Sequence, residues 1–351
     1  MSDSVLRLHP QVQIVNGFRR AAFYDLGREV MYYVRLTIAS GLERILPVNR
    51  QAVEKMVSEE YDDAHVYMDW MLRKELLFEV PVSMLPCFPA VSLELNIPGH
   101  LWSASLDRSQ LQEELLSALC SLGVRYLAID CRAVDRASLK SAIDQIPVDL
   151  PLLSIVLWID EDSSISAEDV ADVVENRFCV TEILRQPKVG TDTAAGALDR
   201  RPRMRCNLTH FIEARLFNVT FNKHVHIDDQ GLIFEGHRGG RSIGSVDANR
   251  LTGSLVEADA KRSLQGAIKD KTSVCSDCEH RYMCTDPRAP SAREDGTWYH
   301  ITECPYNPYI CKWKDEEGYR TLAECGVVIN AEGFIIQQER IAGINAELWG
   351  E

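Results

Sequence analysis

At 351 residues, with 46% hydrophobic and 26% charged side chains, the chain is long enough for two or three domains with real cores, which excludes a disordered or fibrous protein. A formal net charge of −14 argues against a protein that tracks nucleic-acid phosphates. No run reaches the roughly 18 apolar residues of a spanning helix, and the start, MSDSVLRLHPQVQIV, has no apolar stretch behind a basic one, so a cytoplasmic protein with no membrane partner is expected. Thiols stay reduced in that compartment, and the eleven cysteines then point to metal binding rather than disulfides.

Residues 12 to about 80 read as a small mixed domain. The runs VQIV, AAFYDL and EVMYYV are rich in Val, Tyr and Phe and are separated by NGFRR and GR turns, so they predict a three-stranded meander. Three helical stretches follow. Their apolar faces are Leu36, Leu42, Ile45 and Leu46, then Val53, Met56 and Val57, then Val66, Tyr67, Trp70 and Met71. Pro47 and the acidic SEEYDD separate them, and Asp62 or Asp63 stands where it would cap the last. Strands followed by helices in this order make a winged-helix-like domain over residues 1–83.

That order, with YDLGREVMYYVRL and YMDWMLRKELLFEV, resembles the precursor-recognition domain of many peptide-maturing enzymes. In that family an extended leader peptide adds a strand to the third strand of the meander and lies against the third helix. The resemblance implies an edge from Glu29 to Val34, a helix from Ala64 to Lys74, and Met31, Tyr32, Tyr33, Tyr67 and Met71 as peptide-binding residues. An exposed edge supplies main-chain hydrogen bonds, and alternate side chains supply selectivity. The plainer reading of Tyr32, Tyr67 and Met71 is core, since such residues at helical spacing face inward. A DNA-binding winged helix is disfavoured, because Asp69 and Glu75 stand beside Arg73 and Lys74 and no basic stripe meets phosphates.

Past the connector VPVSMLPCFP the pattern alternates. Leu111, Leu115, Leu116 and Leu119 share one helical face, SLGV leads into the strand YLAID, and ASLKSAIDQI is a helix; LLSIVLWID is a strand, SAEDVADVVENR a helix and FCVTEIL a strand. Such repetition predicts an α/β region with parallel strands covered by helices. About four strands are evident between residues 90 and 185, so a partial, open (β/α) barrel over 84–215 is expected rather than a closed eightfold one. It ends in KVGTDTAAGALDRRPRMRC, where Arg200, Arg201, Arg203 and Arg205 form either an anion clamp or a solvated loop.

The third region, 216–351, opens with HVHIDDQGLIF, two β-runs around a DDQG turn. VHIDDQGLIF at 225–234 is echoed by VVINAEGFII at 327–336, which suggests two hairpins framing a small metal module. Asp228, Asp229 and Glu235 suit turn chemistry. His224 and His226 share one face of a strand, open either to solvent or, with His237, to a metal or acid–base site. Between the hairpins, VCSDCEHRYMCTDPRAP sets Cys275, Cys278 and Cys284 as CxxCxxxxxC, and Cys304 follows in ECPYNPY. A CxxC pair puts two sulfurs on one tight turn, the bite that a tetrahedral ion or a cubane cluster needs. All-thiolate coordination suits zinc or a 4Fe-4S cluster, and spacing does not separate them. Unmetallated thiols are the alternative. Cys311 is near enough to Cys304 to substitute as a ligand, and Cys325 reads as a small packed hydrophobe.

KDKTSVCSDCEHRYMC, ECPYNPY and the preceding hairpin with its SIGSV resemble the SPASM domain of radical SAM peptide maturases. The closest pattern is the maturase of grasp-with-spasm systems, over nearly the whole chain to its end INAELWGE. A full domain of that family carries seven cysteines and two auxiliary 4Fe-4S clusters, and the resemblance assigns Cys275, Cys278, Cys284 and Cys304 to the second. At the other three positions stand Gly236 or His237, Asn249, and Pro287 with Arg288, so one metal site is expected. Radical SAM chemistry also needs a CxxxCxxC loop to hold the cluster that binds S-adenosylmethionine. The earlier cysteines are Cys87, Cys120, Cys131, Cys179 and Cys206, the nearest two eleven apart, and the loop LELNIPGHLWSASL has none. The expectation is a degenerate, pseudo radical SAM/SPASM protein with no catalytic residue and no S-adenosylmethionine. It would bind a ribosomally made precursor peptide and present it to a partner maturation enzyme, a radical SAM enzyme or an ATP-grasp ligase. The alternative is a stand-alone, metal-dependent peptide-modifying enzyme.

Overall fold

A computed structural model describes residues 4–97, 99–132, 135–160, 165, 180–186, 201–236 and 240–350. The helix expected over 166–177, Cys179, Arg200 and His237 lie outside the described residues. The chain forms two compact units from non-contiguous segments. One comprises Met1–Leu95, Leu198–Phe217 and Ala267–Glu351, and the other Asn96–Ala197 and Asn218–Gly266. The expected divisions at 83 and 215 follow chain order, whereas packing joins the N-terminal segment to the cysteine-rich one.

In the first unit β1 (Ser4–Leu8) pairs antiparallel with β5 (Leu77–Pro81). Between them in sequence, β2 (Val12–Asn16), β3 (Arg20–Asp25) and β4 (Val30–Arg35) form the expected three-stranded antiparallel sheet, with β4 at one edge. Helices α1 (Leu36–Ile45), α2 (Arg50–Ser58) and α3 (Ala64–Arg73) follow. Asn49 caps α2 by accepting from the Ala52 amide at 2.9 Å; Asp63 stands at the start of α3 but makes no side-chain cap. The period-2 alternation of β3 divides its side chains between two cores. Ala21 and Phe23 join Val34, Ile38, Leu42, Val53, Val57, Met68 and Met71 on the helical side. Ala22 and Tyr24 join Cys206, Phe211 and Met283 on the other.

The second unit is an α/β layer. Strands β6 (Ser103–Asp107), β7 (Tyr126–Asp130), β8 (Ser154–Asp160) and β9 (Val180–Gln186) are parallel neighbours in that order. The hairpin β10 (His224–Ile227) and β11 (Leu232–Glu235), followed by β12 (Ser242–Ser245), extends the sheet as β12-β11-β10-β6-β7-β8-β9, with β10 parallel to β6. This corrects the expected metal-module framing. Val225, Ile227 and Ile233 belong to the same apolar layer as Leu106, Leu127 and Leu157, which also takes the inward faces of α4 (Glu113–Ser121) and α5 (Arg136–Asp144). The ribbon Val327–Ile329 with Phe334–Ile336 is a separate two-stranded sheet, so the two similar hairpins do not pair. Strand β6 also lies partly inside the stretch read as a loop; the connection after it is residues 108–112, RSQLQ, again without cysteine.

The cysteine-rich segment has two- and three-residue strands, short 3-10 turns and the helix Gln338–Trp349. Its apolar cluster is Val274, Tyr309, Ile310, Leu322, Cys325, Val327 and Ile341. Among the described residues no helix is long and apolar enough to cross a membrane.

Candidate metal centre

The CxxC lies on a 3-10 turn, Cys275–Asp277, entered through Val274 at φ 67°. A β-branched residue in the left-handed region is costly and is kept where the surroundings over-determine it. The Cys278 amide donates to Cys275 O at 3.1 Å, and the His280 amide lies 3.4 Å from Cys278 Sγ, an N–H that favours thiolate. Cys284 N donates to His280 O at 3.0 Å, and Met204 forms a β-bridge with Cys284. The turn chemistry thus arranges three of the four expected thiols within one loop.

Electrostatically these thiols are neighbours: Cys278 feels Cys275 and Cys284, Cys284 feels Cys275, and Cys304 feels Cys284. Burial raises all four, Cys284 to about 11 and Cys304 to about 12, so each is a protonated thiol unless a cation takes the proton's place. Among the described residues the group placed to hold a metal contains only Cys275 of the four expected thiols, together with two residues that spacing does not flag. A Cys275 sulfur, an Asp286 carboxylate oxygen and a His300 ring nitrogen lie within 4.8 Å of one another, so these three residues are placed to hold one metal ion. For His300 burial outweighs Asp286 and lowers the ring to about 3, which keeps it neutral, the form that ligates.

The charge balance fits a metal. Lys269 and Arg288 are buried cations at 5% exposure each, and the carboxylate acting on both is Asp286. Asp286 accepts from Arg288 Nη2 at 2.6 Å and Nε at 3.0 Å; burial pushes its carboxyl up, but Lys269 and Arg288 more than offset this and hold it down. Burial likewise works against the Lys269 ammonium, and Cys284, Asp286 and Cys275 reverse it. With neutral thiols two buried cations face one carboxylate, an arrangement that costs free energy. Thiolates held by a metal would supply the missing negative charge. The Arg288 guanidinium is committed to Asp286 and to the Thr302 carbonyl.

The other expected residues fall as follows. Cys311 is buried at φ 52° beside Pro308 O, outside the Cys275–Asp286–His300 group, and Cys325 is wholly buried with its sulfur accepting from Asn307 Nδ2 at 3.3 Å. Tyr33 on β4 is 43% exposed. Met31 packs toward the Tyr24 side of the sheet, and Tyr32 meets Trp70 edge-to-face at 5.6 Å. Tyr67 stacks on Tyr61 at 4.9 Å. Met71 is 0% exposed and offers a peptide no surface, because the helical period turns it inward with Met68.

Arg201 pairs with Asp315 at 2.9 Å and lies over Trp313, while Arg203 O accepts from Thr285. In the second unit His226 is 1% exposed, which corrects the solvent-face reading. Ser105 Oγ lies 2.9 Å from His226 Nδ1 and 3.3 Å from His224 Nε2, and Ser103 Oγ lies 2.8 Å from His224 Nδ1. Asp228 does turn chemistry, accepting from the Gln230 and Leu232 amides. Glu235 instead is buried and accepts from the amides of Ser263 and Leu264.

No family model matches the chain, and no curated protein matches it.

Proposed function

We propose that the chain is a non-catalytic peptide-binding component of a ribosomal peptide maturation system. In this reading an extended precursor segment adds to the outer edge of β4, and one metal, zinc or a 4Fe-4S cluster held by Cys275, Cys278, Cys284 and Cys304, braces the cysteine-rich segment. The captured peptide is then presented to a partner radical SAM enzyme or ATP-grasp ligase. The observation that carries the reading is the placement of β4, an edge strand with Tyr33 exposed on it. Residues Met31, Tyr32 and Tyr67 remain candidate contacts.

The test selects binders to the full chain from a displayed library of random extended peptides and maps hydrogen exchange with the selected peptide bound. Protection centred on Met31–Val34, and a roughly tenfold weaker affinity for Tyr33→Ala, are the expected results. Selected peptides that protect only segments outside β4, or no specific binder at all, sink the reading.

A specific observation supports the second reading, a metal-dependent enzyme. Cys275, Asp286 and His300 are placed as three candidate ligands, and three is the number that leaves a coordination position for substrate. Metal titration separates the two. Under the scaffold reading Cys278→Ala and Cys304→Ala each release the metal, whereas under the enzyme reading His300→Ala releases it and Cys304→Ala does not.

A further inference from the structure

The centre and the edge strand β4 belong to one compact unit, and a single short turn touches both. Directly after Cys278 comes Glu279, 0% exposed, whose carboxylate accepts from Arg20 Nε at 2.5 Å and from the Tyr306 hydroxyl. The Glu279 carbonyl accepts from the Tyr24 hydroxyl at 2.5 Å. His280 Nε2 lies 3.3 Å from the Tyr33 hydroxyl, with the two rings edge-to-face at 5.6 Å. Arg281 Nη1 donates to Asn16 O at 2.7 Å and back to Cys278 O at 3.1 Å, while the Phe18 amide donates to Asp277 O at 2.7 Å. The turn therefore grips all three strands: Asn16 on β2, Arg20 and Tyr24 on β3, Tyr33 on β4. Arg20 also lies over the Tyr33 ring at 3.5 Å, which ties β3 to β4 at the same point.

The grip is incompletely satisfied. Buried Glu279 Oε2 and His280 Nδ1 have no hydrogen-bond partner, so part of its polar surface is unpaid by local bonding. The turn has neither a strand ladder nor a helix of regular length to keep it in place. Cys275, just before the turn, is placed with Asp286 and His300 to hold one ion, and an ion there that also took Cys278 and Cys284 would fix the loop at three points.

We propose that occupancy of the metal centre controls the order of β4, so that the edge is competent to take up a peptide only when the centre is loaded. The inference rests on the reading of the thiols as a metal site and names the regulation of the peptide site. Linkage makes the effect reciprocal: a peptide seated on β4 raises metal affinity by the factor by which the metal raises peptide affinity.

Hydrogen exchange on the full chain tests it, with zinc-loaded and chelator-treated samples whose zinc content is measured in parallel. The expected result is exchange about tenfold faster at the Met31–Val34 amides without zinc, with little change at the Val5–Leu8 amides of the same unit, which lie outside the grip. Failure to bind zinc or iron in any preparation removes the metal reading and this inference together. Zinc that binds and leaves without altering β4 overturns the inference alone. Equal acceleration in β1 and β4 also overturns it, because that reports unfolding of the unit. In the zinc-loaded protein, Tyr33→Phe loses only its bond to His280 and should exchange about fivefold faster in β4 at unchanged zinc content; unchanged exchange overturns the route through His280.

Discussion

The sheet of the second unit and the cysteine-rich segment of the first bury their residues by different means. In the sheet five parallel strands, β10 and β6 to β9, share one apolar layer in which Leu106, Leu127, Ile129, Ile155 and Leu157 are at most 2% exposed. Ladder bonds satisfy the backbone and area does the rest. The cysteine-rich segment has strands of two or three residues, and its buried side chains include Lys269, Glu279, His280, Asp286, Arg288 and Asn307. Short ribbons supply few ladder bonds and little apolar area. Stability there is concentrated in a few charge pairs and, on the proposed reading, in one ion, whereas in the sheet it is spread over dozens of methyl groups.

Removing the metal is the strongest way to break that contrast. Structural zinc contributes on the order of 10 kcal/mol at neutral pH. Chelation should therefore abolish the part of the calorimetric transition that the cysteine-rich segment contributes, while β1 and its sheet partner stay folded and the transition of the second unit stays in place. A single transition that moves as a whole would show that stability is not divided in this way. Next in size is Leu157→Ala, at a fully buried position of the sheet. Its expected cost is about 2–5 kcal/mol, confined to the second unit and read as a fall in that unit's urea midpoint with metal content unaltered.

The same contrast decides what could be read in advance. YLAID, LLSIVLWID and the Leu115–Leu119 face were legible because each buries one face in a continuous layer, and period alone reports that. The partner of the β10 hairpin was not. HVHIDDQGLIF encodes a face and, through Asp228, a turn, but the neighbouring strand SASLD carries only Leu106 as a large apolar residue and so read as loop. In the cysteine-rich segment the CxxC was legible because its geometry is local. Asp286 and His300 were not, since ribbons and irregular loops bring them to Cys275 without a fixed spacing. The docking of Glu279 on Arg20 and Tyr24 likewise joins residues at opposite ends of the chain, and neither carries a periodic signal for the other. Met71 shows the converse: its helical spacing points inward, to the core that it joins, whereas the resemblance put it in the groove.

Acid gives the smallest and most specific effect. His210, on the helix Leu208–Leu216, is 7% exposed; burial lowers its ring to about 4, and Arg205 and Lys269 add to the shift. Because the folded ring holds its proton less tightly than the ordinary 6.5, the unfolded chain binds more protons between those two values. The stability tied to the neutral ring is complete above pH 6.5 and is lost as pH falls toward 4, on the order of 3 kcal/mol in all. Acid also drives metal from thiolates, so the fall in the parent protein has two sources. His210→Gln isolates one of them, since glutamine does not titrate. Urea midpoints of the first unit, taken between pH 7 and pH 4.5, should show the parent losing more stability than the variant, with nearly all of the difference arising below pH 6.5. Parallel loss in the two proteins would mean that a charged ring is tolerated at position 210, and that the buried polar groups of this unit are less committed to one protonation state than their packing implies.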